Sequence, residues 1–192
     1  MDTMRGLLND REIKRLAADG MIDPFIPELV RERDGEKVIS YGLSSAGYDI
    51  RAGTEWYIAL ERDARIGDPK NFDPGLMRRY EMDAPIVLPP RSFALTHSVE
   101  RFRMPEDVVG IALGKSTYAR MGIIVNITPL EPGWEGWLTI EVTNSAPFPV
   151  KVYPNEGIAQ ILFFRIDAPI TSYAARSGKY QGQERGVVFA RV

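Results

Sequence analysis

Glu141 is the residue in this chain best placed to move protons. It stands in the run Trp137-Leu138-Thr139-Ile140-Glu141-Val142-Thr143. In a β-strand successive side chains face opposite sides, so Leu138, Ile140 and Val142 would enter a core. Trp137, Thr139, Glu141 and Thr143 would share the other face. A carboxylate so placed, beside two hydroxyls, suits general acid–base work. An ordinary surface glutamate on a solvated strand fits the same pattern.

A second candidate is Gly114-Lys115-Ser116-Thr117-Tyr118-Ala119-Arg120, a turn that follows one strand-like run and opens a short helix. Glycine permits close backbone approach, and amides and hydroxyls at a helix start bind phosphate oxygens. Lys115 and Arg120 add positive charge, and an arginine can grip phosphate through two parallel hydrogen bonds. A capped surface helix with two solvated cations is the plainer alternative. The glycine spacing is not that of a Walker A loop. Asp49, in Gly47-Tyr48-Asp49-Ile50-Arg51, reads as a strand-start acid paired to a cation. His97, the single histidine, reads as a structural hydrogen-bonding residue.

The elements that must position these groups are mostly strands. Apolar and β-branched runs occur at 55–58, 86–88, 93–96, 108–111, 123–125, 138–142, 150–152 and 158–164. Pro89-Pro90, Pro105, Pro132-Gly133 and Pro154-Asn155 separate them. Many short strands with little helix predict a sandwich, jelly roll or barrel. One helix is signalled near the start. Asn9 and Glu12 have capping-box spacing, Leu8 and Ile13 occupy staple positions, and Gly20 is a stop. Its stripe of Ile13, Leu16 and Ala17 is expected to pack on the main body. The stretch from Asp68 to Gly75 reads as an irregular excursion. The tail from 174 to 192 has no core pattern, so it is either a disordered end or a segment that closes over a ligand.

Composition narrows the chemistry. The 192 residues are 44% hydrophobic and 26% charged, with 24 Lys plus Arg against 26 Asp plus Glu. A net charge of -2 argues against a duplex nucleic-acid binder but allows a small anionic ligand. With no cysteine there is neither a disulfide nor a thiolate metal site. No apolar run reaches membrane-span length, and the N-terminus lacks a signal-peptide core. The expectation is a cytoplasmic, single-domain protein over 1–192 with no metal bound by the protein itself.

Taken in order, several segments resemble the dCTP deaminase branch of the trimeric dUTPase-like superfamily. They include Gly20-Met21-Ile22-Asp23-Pro24-Phe25, Pro89-Pro90-Arg91-Ser92-Phe93-Ala94-Leu95 and Leu113 to Arg120. Ile123 to Pro132, Asn155-Glu156-Gly157-Ile158-Ala159-Gln160 and Gly178-Lys179-Tyr180-Gln181-Gly182-Gln183 complete the set. The resemblance implies a distorted β-barrel or jelly roll that assembles as a homotrimer with sites between subunits. It implies a phosphate and sugar loop at Lys115, Ser116, Thr117, Tyr118, Ala119 and Arg120. It puts the base-contacting strand at Thr139, Ile140 and Glu141, with Glu141 in the catalytic position. Gln160, Tyr173, Lys179 and Gln183 match further nucleotide contacts. dTTP as a feedback inhibitor also belongs to what the resemblance implies.

The implied reaction is hydrolysis of dCTP to dUTP and ammonia, which supplies dUTP for dUMP and dTMP synthesis. Well-known nucleobase deaminases activate water with zinc held by His and Cys. This chain has one His and no Cys, so the work falls to Glu141, with Ser116 and Arg120 as helpers. Magnesium would arrive on the triphosphate. Three alternatives stay open: a dUTP pyrophosphatase on the same scaffold and its bifunctional variant that releases dUMP, for both of which Glu131 is the residue to watch, and a non-catalytic nucleotide-binding barrel.

Overall fold

Alternating burial along the strands shows how the sequence builds its core. In β11 every second residue from Gly136 to Asn144 is buried, while Trp137, Thr139, Glu141 and Thr143 stay partly open. The computed structural model describes residues 6–60 and 66–192. In chain order the elements are β1 (Gly6–Leu7), α1 (Asp10–Ala18), β2 (Ile22–Asp23), β3 (Leu29–Arg33), β4 (Glu36–Ser44) and β5 (Gly47–Ala59). After a 3-10 turn at Pro74–Leu76 come β6 (Met77–Glu81), β7 (Ile86–Leu88), β8 (Phe93–Arg103), β9 (Val108–Gly114) and α2 (Ser116–Ala119). The last are β10 (Ile123–Asn126), β11 (Glu135–Asn144), β12 (Val150–Val152) and β13 (Gly157–Arg165).

Eleven of these strands join in one sheet with the central order β1-β13-β5-β8-β11-β10, and β12 pairs with β7 in a second. All the pairings between these strands are antiparallel. β5 is the strand that makes the sheet curl. Its first residues pair with β4 and β13, and its later ones with β6 and β8. The register slips between Ala52 and Trp56, and such irregularities bend a strand. Gly53 lies in that stretch, where a Cβ would overlap the His97 ring. His97 is buried, and its Nδ1 lies 2.8 Å from the Ser98 carbonyl, the structural part expected of it. Tyr48, Trp56, Phe102 and Phe163 are fully buried at the centre.

The mostly β architecture and the short N-terminal helix match the reading of the sequence. Asn9 Oδ1 accepts from the Glu12 amide at 3.2 Å, and Glu12 Oε2 accepts from the Asn9 amide at 3.4 Å. Leu8, Ile13, Leu16 and Ala17 are buried, and all but Ala17 belong to the main core cluster. Gly20 ends the helix with φ +89°, a conformation that favours glycine.

The strand limits are corrected in several places. β5 and β8 run much further than 55–58 and 93–96, and β3, β4 and β6 lie outside the apolar runs. β3 and β4 are rich in charge, and their hairpin is set by Asp34 (φ 56°) and Gly35 (φ 81°). Positive φ at both central residues is the Asp-Gly hairpin turn, a signal the apolar pattern does not carry.

Candidate active site

β11 presents Glu141 to a cavity of about 740 Å³. Phe72, Thr139, Tyr173, Lys179 and Gln183 are among its other walls. Inward-facing Leu138, Ile140 and Val142 anchor the strand, so the outward face is held rigidly. Glu141 pairs across the ladder with Asn126 on β10, and Asn126 Nδ2 donates to Glu141 Oε2 at 3.0 Å. Burial pushes the Glu141 carboxyl above the ordinary glutamate range, while the Asn126 hydrogen bond pulls the other way. A carboxyl shifted upward holds a proton more readily than a free glutamate, which favours its both accepting and returning one.

The tail covers the neighbouring side of the cavity. Gln183 Nε2 and the Val188 amide both donate to Thr139 Oγ1, at 2.7 and 3.1 Å. The Trp137 amide donates to the Gln183 carbonyl at 3.1 Å and the Gly182 amide to the Glu135 carbonyl at 2.9 Å. Gly136 has φ +148°, and a Cβ there would stand 2.8 Å from the Gln183 amide nitrogen, so glycine lets the tail lie against β11. Trp134 Nε1 donates to the Tyr180 carbonyl (2.9 Å), and the Tyr180 amide donates to Tyr173 Oη (3.1 Å). Lys179 Nζ donates to the Arg191 carbonyl at 2.7 Å. Further along, Phe189 stacks on Phe72 at 4.6 Å and meets Tyr57 edge-on at 4.9 Å. The tail thus lies along β11 and supplies Lys179, Tyr180, Gln183, Val188 and Ala190 to the cavity wall.

The loop after β9 forms a different group. As expected, Gly114 leads into a short helix, with Ser116, Thr117, Ala119 and Arg120 exposed. Arg120 Nη1 donates to the Ser116 carbonyl at 2.9 Å. The Lys115 ammonium forms an ion pair with Asp49, the cation partner expected for that acid. Gln160 is the cross-strand partner of Asp49 and donates to Ser44 Oγ at 3.1 Å. The side chain of Tyr118 lies in the core, where its hydroxyl accepts from the Tyr153 amide at 2.9 Å. Ile140 is likewise fully buried. At both positions only the main chain is free to meet a ligand.

One chain therefore gathers Thr139, Glu141, Tyr173, Lys179 and Gln183 around one cavity, while Lys115 to Arg120 and Gln160 do not line it. Sequence reasoning did not single out Asn126, Phe72 or Phe189 as site residues. Asn126 is set opposite Glu141 by strand register alone. Phe72 had a weak signal, as a lone aromatic in the irregular excursion. Glu131 lines the cavity and is ion-paired with Arg176. Among the described residues no helix is long and apolar enough to cross a membrane.

Comparison with known proteins gives a consistent result. The dCTP deaminase-like family is matched over residues 7–166. The chain is 53% identical over 186 residues to the dCTP deaminase of Dechloromonas aromatica (strain RCB), which spans 96% of this chain and 98% of that protein. It is 52% identical over 177 residues to the dCTP deaminase of Neisseria gonorrhoeae (strain ATCC 700825 / FA 1090), covering 91% and 94%. Its fold is similar to the crystal structure of 2'-deoxycytidine 5'-triphosphate deaminase from Agrobacterium tumefaciens, with a TM-score of 0.62 and 19% identity. That likeness covers 85% of this chain, which spans about half (49%) of the solved one.

Proposed function

The chain belongs to the dCTP deaminase-like family, and from that premise we propose that it is an enzyme that hydrolyses dCTP to dUTP and ammonia, with Glu141 as its acid–base residue. The observation that carries this reading is the half-buried Glu141 carboxyl, hydrogen-bonded to Asn126 and facing a cavity large enough for a nucleotide base and sugar.

The chemistry balances with one shuttle. Water adds through oxygen to C4 of the cytosine, and Glu141 takes one of its protons and delivers it to N3. The second water proton passes through the same carboxylate to the exocyclic amine. The C4–N bond then breaks, ammonia leaves, and the C4 carbonyl of uracil forms. Asn126 steadies the carboxylate between transfers. Thr139, Gln183 and the tail exclude bulk water, which strengthens each hydrogen bond inside. Ser116 and Arg120 assist around the water and the leaving amine, and Lys115, Arg120 and Lys179 hold the triphosphate. The triphosphate brings magnesium, held by its own oxygens and water.

Assembly into a homotrimer, with sites completed between copies, is part of this reading. It is supported by the separation, within one chain, of the Glu141 cavity from the loop at 115–120. A cytoplasmic enzyme that feeds dUTP to dUMP synthesis and is restrained by dTTP completes it. Against release of dUMP stands the lack of an aspartate in Thr128-Pro129-Leu130-Glu131-Pro132, the stretch corresponding to the segment of the family's pyrophosphatases whose Asp activates water.

The test is incubation with dCTP and identification of products. dUTP with one equivalent of ammonia supports the proposal. dUMP with pyrophosphate makes the enzyme bifunctional, and binding without ammonia release makes it a non-catalytic barrel.

A further inference from the structure

We infer that Asp49 is a positioning residue, which holds the Lys115 ammonium ready for the nucleotide's phosphates while itself staying behind the loop. The inference rests on the phosphate-loop reading above and extends it by one residue that reading leaves without a part.

The geometry is unusual for a purely structural pair. The Asp49 and Lys115 side chains are 4% and 11% exposed. An ion pair this buried adds little net stability, because desolvation cancels most of the attraction. Asp49 Oδ1 has no close hydrogen-bond partner among the described residues, and the only neighbour that favours its charge besides Lys115 is the Gln160 amide on the facing strand. Burial pushes the Asp49 carboxyl upward, and the Lys115 ammonium, with a smaller part from the Gln160 amide, pulls it back. The fold thus retains a costly group at the root of the 115–120 loop.

Lys115 is fixed at both ends. Its amide donates to the Ile158 carbonyl of β13 at 3.1 Å, and its carbonyl accepts from the Ala119 amide at 2.9 Å. Its ammonium is held by Asp49 of β5. A lysine side chain carries large rotamer entropy, and a cation already ordered binds an anion without that cost. Arg120, at the other end of α2, is exposed and engages only the Ser116 carbonyl among the hydrogen bonds described. The loop therefore has one cation held by a buried ion pair and one exposed cation held only by a main-chain carbonyl. Asp49 makes the difference between them.

The competing possibility is that Asp49 withholds Lys115 from phosphate, and the sign of one measurement separates the two. Full-length Asp49→Asn keeps the shape and removes the charge. Its dCTP dissociation constant is expected to rise about tenfold, the scale of one charged hydrogen bond. Inhibition by deoxycytidine, which has no phosphate, should not change. Lys115→Met should show the same selective loss, and the double variant no further loss, since both changes remove one interaction. Tighter dCTP binding by Asp49→Asn, equal losses for dCTP and deoxycytidine, or additive losses would overturn the inference. If the asparagine variant does not fold, Asp49→Glu is read in the same way. It keeps the charge but moves the ammonium. If Lys115→Met leaves dCTP binding intact, the phosphate-loop reading itself falls, and this inference falls with it. If Lys115→Met behaves as stated and Asp49→Asn is silent, only the role of Asp49 is lost.

Discussion

Replacing Glu141 by Gln separates its chemical role from its structural one. The glutamine carbonyl can accept the Asn126 Nδ2 hydrogen bond that Oε2 now accepts at 3.0 Å, so the strand pairing and cavity should survive. The amide cannot shuttle protons at any accessible pH. Loss of a positioned acid–base group typically costs about 10²–10⁴ in rate, and here one group serves both transfers. The variant should therefore lose at least that much in kcat with dCTP affinity little altered. Its stability should move the opposite way. Burial raises the folded-state value of the Glu141 carboxyl above that of the unfolded chain, near 4.3. Above the raised value the charged carboxylate weakens the fold. Below about 4.3 both states are protonated and the penalty vanishes. Glu141→Gln removes that penalty, so the variant should melt higher at neutral pH and lose its advantage as the pH falls. Each 1 kcal/mol of relief raises the midpoint by about 2–4 °C in a chain of this size. The open side of Glu141 is screened by water, which reduces the gain. The assays are ammonia release under saturating dCTP and thermal melts from pH 4 to 8 at one protein concentration. Turnover within tenfold of the parent would refute the catalytic assignment. A lower melting point at neutral pH would refute the electrostatic one.

Three further outcomes follow from the same geometry. Asn126→Ala removes a donor that favours the ionised form of Glu141, so the acid limb of the kcat/KM profile should move to higher pH; an unmoved or lowered limb would count against the pairing. Thr139→Val leaves the Gln183 amide and the Val188 N–H without their acceptor, at a cost of about 1–3 kcal/mol to tail seating. Trypsin should then cut faster at Lys179 and Arg185, and the KM for dCTP should rise, whereas unchanged protection would show the tail is held elsewhere. Chelation of magnesium should weaken dCTP turnover and leave the melting point of the nucleotide-free protein unchanged; a fall in that melting point would point to a metal held by the protein itself.

Local physics made much of this protein readable from its sequence. The capping box of Asn9 and Glu12 needs only residues three apart, and the core face of β11 needs only alternation. The ordered motifs from Gly20 to Gln183 were enough to indicate the family, and they made Glu141 the candidate acid–base residue. What sequence could not supply was distance between parts far apart in the chain. Asn126 meets Glu141 because β10 and β11 pair in one register, and a slip of one residue would turn it away. Lys115 meets Asp49 across 66 positions. The tail has no apolar period because main-chain hydrogen bonds hold much of it, and these leave no trace in residue type. β8 outruns its apolar start because Ser98 and Glu100 are buried with partners from elsewhere: Ser98 Oγ accepts from the Leu138 amide and Glu100 pairs with Arg51. Tertiary pairing made those polar residues fit for a core, and only the folded chain could decide it.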